Sequence, residues 1–268
     1  MKRFIAGAAL LVTTVGCGVS TQQEVELGTQ YAQQINAQLP IVDDPEINRY
    51  INILGDSIAL LSDDRALDWH FFIVNSKEVN AFAVPGGFIY VNRGLIERSD
   101  NLAQLAGVLG HEIAHVTERH SIEQMEKSQK ANIGVTLACV LLKACGDPAT
   151  GQLINVVGTA VFAGFSRKAE SEADEKAVTY VARANINPIG IPQMFSQLLE
   201  ERRRRPAGVE AWFATHPLEE DRISQTTGYI QRIDPAILQT LTTDTPRFHE
   251  FKQRVLSLPA PPPPRQVR

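Results

Sequence analysis

One pentapeptide, His111-Glu112-Ile113-Ala114-His115, constrains this chain more than any other stretch. Two imidazoles four residues apart fall on one side of an α-helix, close enough to share a metal ion. The Glu between them is offset by about 100° and can lean over water at that ion. The flanking sequence supports a helix. With His111 at 0°, His115 lies at about 40°, while Leu102, Leu105, Leu109, Ile113 and Val116 gather at about 120–200°. One face therefore packs into a core and the other presents two imidazoles. Gly107 and Gly110 border the His face, where a missing side chain lets another backbone approach. Ser99 or Asp100 can cap this helix, which the pattern extends to about Gln129.

A catalytic zinc needs a third protein ligand. The spacing with Gly at 118 and His at 121 is absent, since those positions hold Glu118 and Ser121. On a continuous helix His120 is about 180° from His111, a poor ligand position. The run Ser166-Arg167-Lys168-Ala169-Glu170-Ser171-Glu172-Ala173-Asp174 offers a better source. With Glu170 at 0°, Asp174 lies at about 40°, on the half that carries Ala173, Ala177, Val178 and Val181. Lys168, Glu172, Glu175 and Lys176 occupy the other half and read as solvated. Carboxylates on an apolar face need a partner or a metal. This selects Glu170 as the third ligand, with Asp174 one turn on to accept a hydrogen bond from a ligand His.

The remaining chain reads as helices around a small strand cluster, an α+β pattern. Residues 18–44 have a helical rhythm and residues 45–62 a stronger one, with Ile47, Tyr50, Ile51, Leu54, Ile58 and Leu61 three and four apart. Trp69–Val74 is a strand, and Val79–Val91 a hairpin turning at Val84-Pro85-Gly86-Gly87-Phe88. Helices are expected at about 166–184, 190–204, 218–232 and 245–257. The Arg202–Arg205 run is a solvated helix end. Residues 133–165, apolar and Gly-rich with a break at Gly146-Asp147-Pro148, would suit a mobile cover. A net charge of −4 gives no reason to expect nucleic acid.

The N-terminus carries an address. Lys2 and Arg3 precede an apolar stretch, Phe4 to Val15, that ends at Val15-Gly16-Cys17. This resembles a bacterial lipobox, in which the Cys is lipidated and begins the mature chain. Gly18 in place of an Asp favours the outer membrane. The expected organisation is a signal peptide at 1–16, an N-terminal segment at 17–44, a catalytic domain at 45–258 and a proline-rich tail at 259–268. Cys139 and Cys145 could pair in an oxidising compartment.

Three motifs in order, the NAFAVPGGFIYV segment, HEIAH and SRKAESEAD, resemble the M48 family of zinc metallopeptidases over roughly residues 45–232. The resemblance implies a gluzincin-like α+β fold and one Zn2+ per chain. It implies His111, His115 and Glu170 as ligands, Glu112 as general base toward a metal-activated water, and Asp174 behind the ligands. The Asn80-Ala81-Phe82-Ala83 stretch resembles the family's substrate-binding edge strand, and Thr215-His216-Pro217 a motif that follows the zinc site. His216 would then donate to the oxyanion or occupy the open zinc position at rest. The expected activity is a metalloendopeptidase of the bacterial envelope, lipid-anchored through Cys17 and facing the periplasm. Its expected partners are protein or peptide substrates, the membrane and candidate outer-membrane assembly proteins. The competing expectation is a chaperone-like envelope binding module with structural zinc and little turnover.

Overall fold

The computed structural model describes residues 18–131, 164–205, 208–217 and 220–261. The signal peptide, Cys17, the Cys139–Cys145 pair and nearly all of the expected cover segment lie outside these residues. Two helices open the described chain. Ser20 and Gln23 form a reciprocal capping box that starts α1 (Thr21–Gln38). Asp44 accepts from the Glu46 and Ile47 amides, and Pro45 presets the first turn of α2 (Pro45–Ala59). Of the expected periodic residues, Ile47, Ile51, Leu54 and Ile58 are buried and Tyr50 is partly buried, whereas α2 ends at Ala59 and leaves Leu61 beyond it and exposed.

The sheet has three strands, β1 (His70–Val74), β2 (Ala81–Val84) and β3 (Phe88–Asn92), in the order β1-β3-β2. β2 and β3 form the expected antiparallel hairpin, with Gly86 and Gly87 at positive φ in its turn. β1 joins β3 in parallel, so β2 is left as an edge. The alternating side chains of the hairpin divide between two cores. Ala81, Ala83, Ile89 and Val91 pack with α2 and the zinc-motif helix, whereas Phe82, Val84 and Tyr90 pack with Leu27, Tyr31 and Ile35 of α1.

A short helix, α3 (Arg93–Arg98), leads into α4 (Leu102–Thr117), which carries the HEIAH motif. Asn101, rather than Asp100 or Ser99, caps α4 by accepting from the Gln104 amide. Three adjacent residues are all good caps, so capping preference alone could not choose among them. A larger departure is that every residue from Leu102 to Val116 is buried. The helix is central, with α2 and the sheet on one side and α6 (Arg167–Arg183) and α7 (Gly190–Arg204) on the other. The face bearing the histidines thus meets protein rather than solvent.

The expected helix to Gln129 is also two helices. Arg119 adopts φ 57°, and α5 (His120–Ala131) starts in a new direction. Tertiary contacts explain the break. Arg119 donates from Nε to the buried Glu24 carboxylate at 2.7 Å and from Nη2 to the Val19 carbonyl. Glu24 also accepts from Arg65, so α1 is tied to the end of α4 through one buried carboxylate. The described chain closes with α8 (Glu210–Thr215), α9 (Glu220–Ile230), α10 (Pro235–Leu238) and α11 (Pro246–Leu256). The short α8 was not foreseen. No described helix is long and apolar enough to cross a membrane.

Candidate metal centre

Two glycines let α6 and α7 approach the HEIAH helix closely. A Cβ on Gly110 would lie 2.9 Å from Val181 Cγ1 of α6, and one on Gly107 would lie 2.7 Å from Ile191 Cγ1 of α7. With α6 this close, Ser166 caps its start by accepting from the Ala169 amide, and Glu170 in its first turn points at α4. His216 is the residue that ends α8, with φ −123° and ψ 85°, outside the helical region. Pro217 disfavours helical backbone at the residue before it.

These elements bring His111, His115, Glu170 and His216 together as a buried group, with one donor atom of each inside 4.8 Å of all the others. His111 Nε2 lies 3.0 Å from His115 Nε2, 3.3 Å from His216 Nδ1 and 3.5 Å from Glu170 Oε2. Glu170 Oε1 is 3.4 Å from His115 Nε2 and 3.3 Å from His216 Nδ1. Donors placed ~2.0–2.1 Å from one ion at tetrahedral corners are ~3.3 Å apart. The donor set fits zinc on both counts, spacing and chemistry: three imidazoles and one carboxylate. His216, singled out by sequence, falls within the group that could hold a metal ion. Glu112 is fully buried beside them, and His216 Nε2 is 3.4 Å from its Oε1. Among the described residues, neither Glu112 oxygen completes a hydrogen bond of ordinary geometry.

A layer of outer contacts holds this group. His111 Nδ1 lies 2.9 Å from Asp174 Oδ1, as expected for a carboxylate fixing the tautomer of a ligand. Asp174 accepts in turn from Arg222 at 2.8 Å twice, and Arg222 Nη1 is 2.6 Å from Glu170 Oε2. Arg222 is buried and lies over the Phe195 ring. Its role was missed in the sequence, although two carboxylates on one apolar face call for a cation. Phe165 stacks on His115 with centroids 4.0 Å apart, and Trp212 lies tilted against His216 with centroids 4.6 Å apart. Of the edge-strand residues, Ala81, Phe82 and Ala83 are buried in β2, and Asn80 accepts a hydrogen bond from Thr215 Oγ1 at 3.4 Å. Glu172 is half-exposed, in line with a solvated position.

The electrostatics follow from burial and charge. Burial pushes the Glu112 carboxyl above its ordinary range, against the pull of His216 and His111. Burial would also raise Glu170, but His216, His111 and His115 together hold it well below. Burial holds His115 well below the ordinary imidazole value. Burial also opposes charging His111, yet Asp174 and Glu170 outweigh it and push that imidazole up to about 9. A carboxylate that stays charged and a His that stays neutral are both suited to metal ligation.

An α+β scaffold with an HEIAH helix, a carboxylate from a neighbouring helix and a buried three-His-one-Glu group is the arrangement expected of the zinc metallopeptidase class. The Peptidase family M48 model matches residues 43–230, and the chain belongs to that family, whose members use zinc. The Beta-barrel assembly-enhancing protease of Escherichia coli O157:H7 is 32% identical over 257 residues, which is 92% of this chain and 51% of that protein. The protein of the same name from Yersinia pestis is 32% identical over 83% of this chain and 47% of its own length. The Arabidopsis thaliana mitochondrial metalloendopeptidase OMA1 is 31% identical over 59% of this chain and 31% of its own. The chain spans about half the length of the curated bacterial relatives it matches.

Proposed function

We propose that this chain is an endopeptidase of protein quality control in the bacterial envelope, with His111, His115 and Glu170 as its permanent zinc ligands. The observation that carries this reading is the tetrahedral spacing of the donor group with the Glu112 carboxyl set beside it. Zinc, when bound, polarises the scissile carbonyl and lowers the pKa of water at its open position. Glu112 takes the proton from the attacking water and returns it to the leaving amine. A carboxyl whose affinity for protons is raised by burial is suited to both transfers. Asp174 holds His111 in the tautomer that turns Nε2 to the metal, and Arg222 holds Asp174 and Glu170. The edge of β2, starting at Asn80, receives the extended substrate by strand addition.

His216 is the resting-state plug in this reading. Its Nδ1 occupies the fourth donor corner and its Nε2 faces Glu112, so one ring blocks both the open metal position and the base. Its segment is also clipped to Asn80 through Thr215, and the Phe165 amide donates to the Thr215 carbonyl at 3.2 Å. Substrate entering along β2 would meet this clip and displace the ring. Replacing His216 with Ala is therefore expected to raise hydrolysis of an unfolded protein. An oxyanion donor would instead show a ~10²–10³-fold fall in kcat, and that outcome would remove the plug role.

The envelope assignment draws on the lipobox reading of Cys17 and on the name of the bacterial relatives, which refers to β-barrel assembly. On this reading the chain is anchored by lipid at Cys17, faces the periplasm from the outer membrane, and meets assembling outer-membrane proteins.

A further inference from the structure

His120 is the buried titratable group nearest the metal centre that the mechanism above does not use. It is 3% exposed, yet two sides of its ring are polar. Its Nδ1 lies 2.9 Å from His115 Nδ1, and its Nε2 lies 3.7 Å from Glu172 Oε2. The ring is out of reach of the donor corner, and it gets to the back of His115 only because the chain turns at Arg119 and restarts as α5. On an unbroken helix it would point the opposite way.

We infer that His120 is a positioning residue that fixes the tautomer and plane of His115, completing for the second ligand what Asp174 does for the first. The inference rests on His115 being a zinc ligand. His115 Nε2 faces His111 Nε2 and Glu170 Oε1, so this nitrogen presents its lone pair to the metal. Its proton then sits on Nδ1 and is donated to His120 Nδ1. His120 consequently carries its own proton on Nε2, the side that faces Glu172. Phe165 stacked on the His115 ring restrains tilt, and the His120 hydrogen bond restrains rotation about the remaining axis. The helix α6 thereby supplies three carboxylates to the centre: Glu170 to the metal, Asp174 behind His111, and Glu172 at the outer end of the His115–His120 pair.

The test is zinc affinity by chelator competition, paired with thermal melting of the metal-free proteins. His120→Leu is expected to weaken zinc binding by ~10–100-fold, while metal-free melting stays near that of the wild type. His120→Asn places an amide oxygen where Nδ1 was and is expected to recover most of the lost affinity. Wild-type affinity in His120→Leu would overturn the inference, as would an Asn variant no better than Leu. A melting temperature that falls in step with affinity would assign His120 to packing alone and overturn it too. His115→Ala serves as the reference: if that variant keeps full zinc affinity, the ligand assignment has failed, which is distinguishable from failure of His120 alone.

Discussion

Arg222 shows how costly charges are kept inside this protein. It is buried, donates twice to Asp174 and touches Glu170, so three charged groups share one desolvated space. Removing one member of such a cluster leaves uncompensated charge. Arg222→Met is expected to cost ~3–5 kcal/mol of stability by urea unfolding, and a loss below ~1 kcal/mol would show the guanidinium to be dispensable. Glu112 is the opposite case, a buried carboxyl with no close charge-paired hydrogen bond, His216 Nε2 lying 3.4 Å from its Oε1. Its folded-state pKa is raised by burial, so the folded protein holds the proton more tightly than the unfolded chain does. Its favourable contribution is present below the ordinary carboxylate value and is lost as pH rises through the folded value. The metal-free Glu112→Gln protein is therefore expected to be more stable than the wild type near pH 7, by on the order of 1 kcal/mol. The gain should vanish at a pH where both states are protonated. Melting curves across pH check this, and a Gln variant less stable at neutral pH would contradict it.

At the scale of elements, the fit of α6 against α4 sets the spacing of Glu170 from His111 and His115. Gly110→Ala would gain up to ~1 kcal/mol in helix propensity, but its Cβ meets Val181 Cγ1 at 2.9 Å. Overpacking typically costs ~1–3 kcal/mol, so the clash wins. Gly110→Ala should lower both stability and zinc affinity, because α6 carries Glu170 away as it yields. Adding Val181→Ala should restore affinity, and no rescue in a chelator assay would place the effect elsewhere. The same pair of helices shows what was legible in sequence. Residue spacing placed His111, His115, Glu170 and Asp174 on two facing stripes, and the structure brings these stripes together. Spacing was silent about the break at Arg119, because the cause is an ion pair with Glu24, 95 residues earlier. His120 was accordingly assigned to the wrong side. Periodicity likewise treated the back of α4 as one apolar face, although packing on all sides makes the whole helix interior.

Over the whole molecule, the two cores either side of the sheet leave β2 as the edge nearest the metal centre, with α1 closing the far face. A chain read as helices around a small strand cluster was enough to anticipate this α+β layout. The parallel β1–β3 pairing and the short α8 that delivers His216 depend on contacts between distant segments, which no local pattern encodes. The central proposal is that this scaffold holds a single zinc for peptide hydrolysis with Glu112 as the base. The most direct measurement is zinc content and cleavage of an unfolded protein, taken on the same preparations of wild type and Glu112→Gln. The expected result is one zinc per chain in both, with cleavage by the wild type alone and its loss when the metal is chelated. Equal cleavage by the two proteins, or cleavage by a wild-type protein stripped of zinc, would contradict the account.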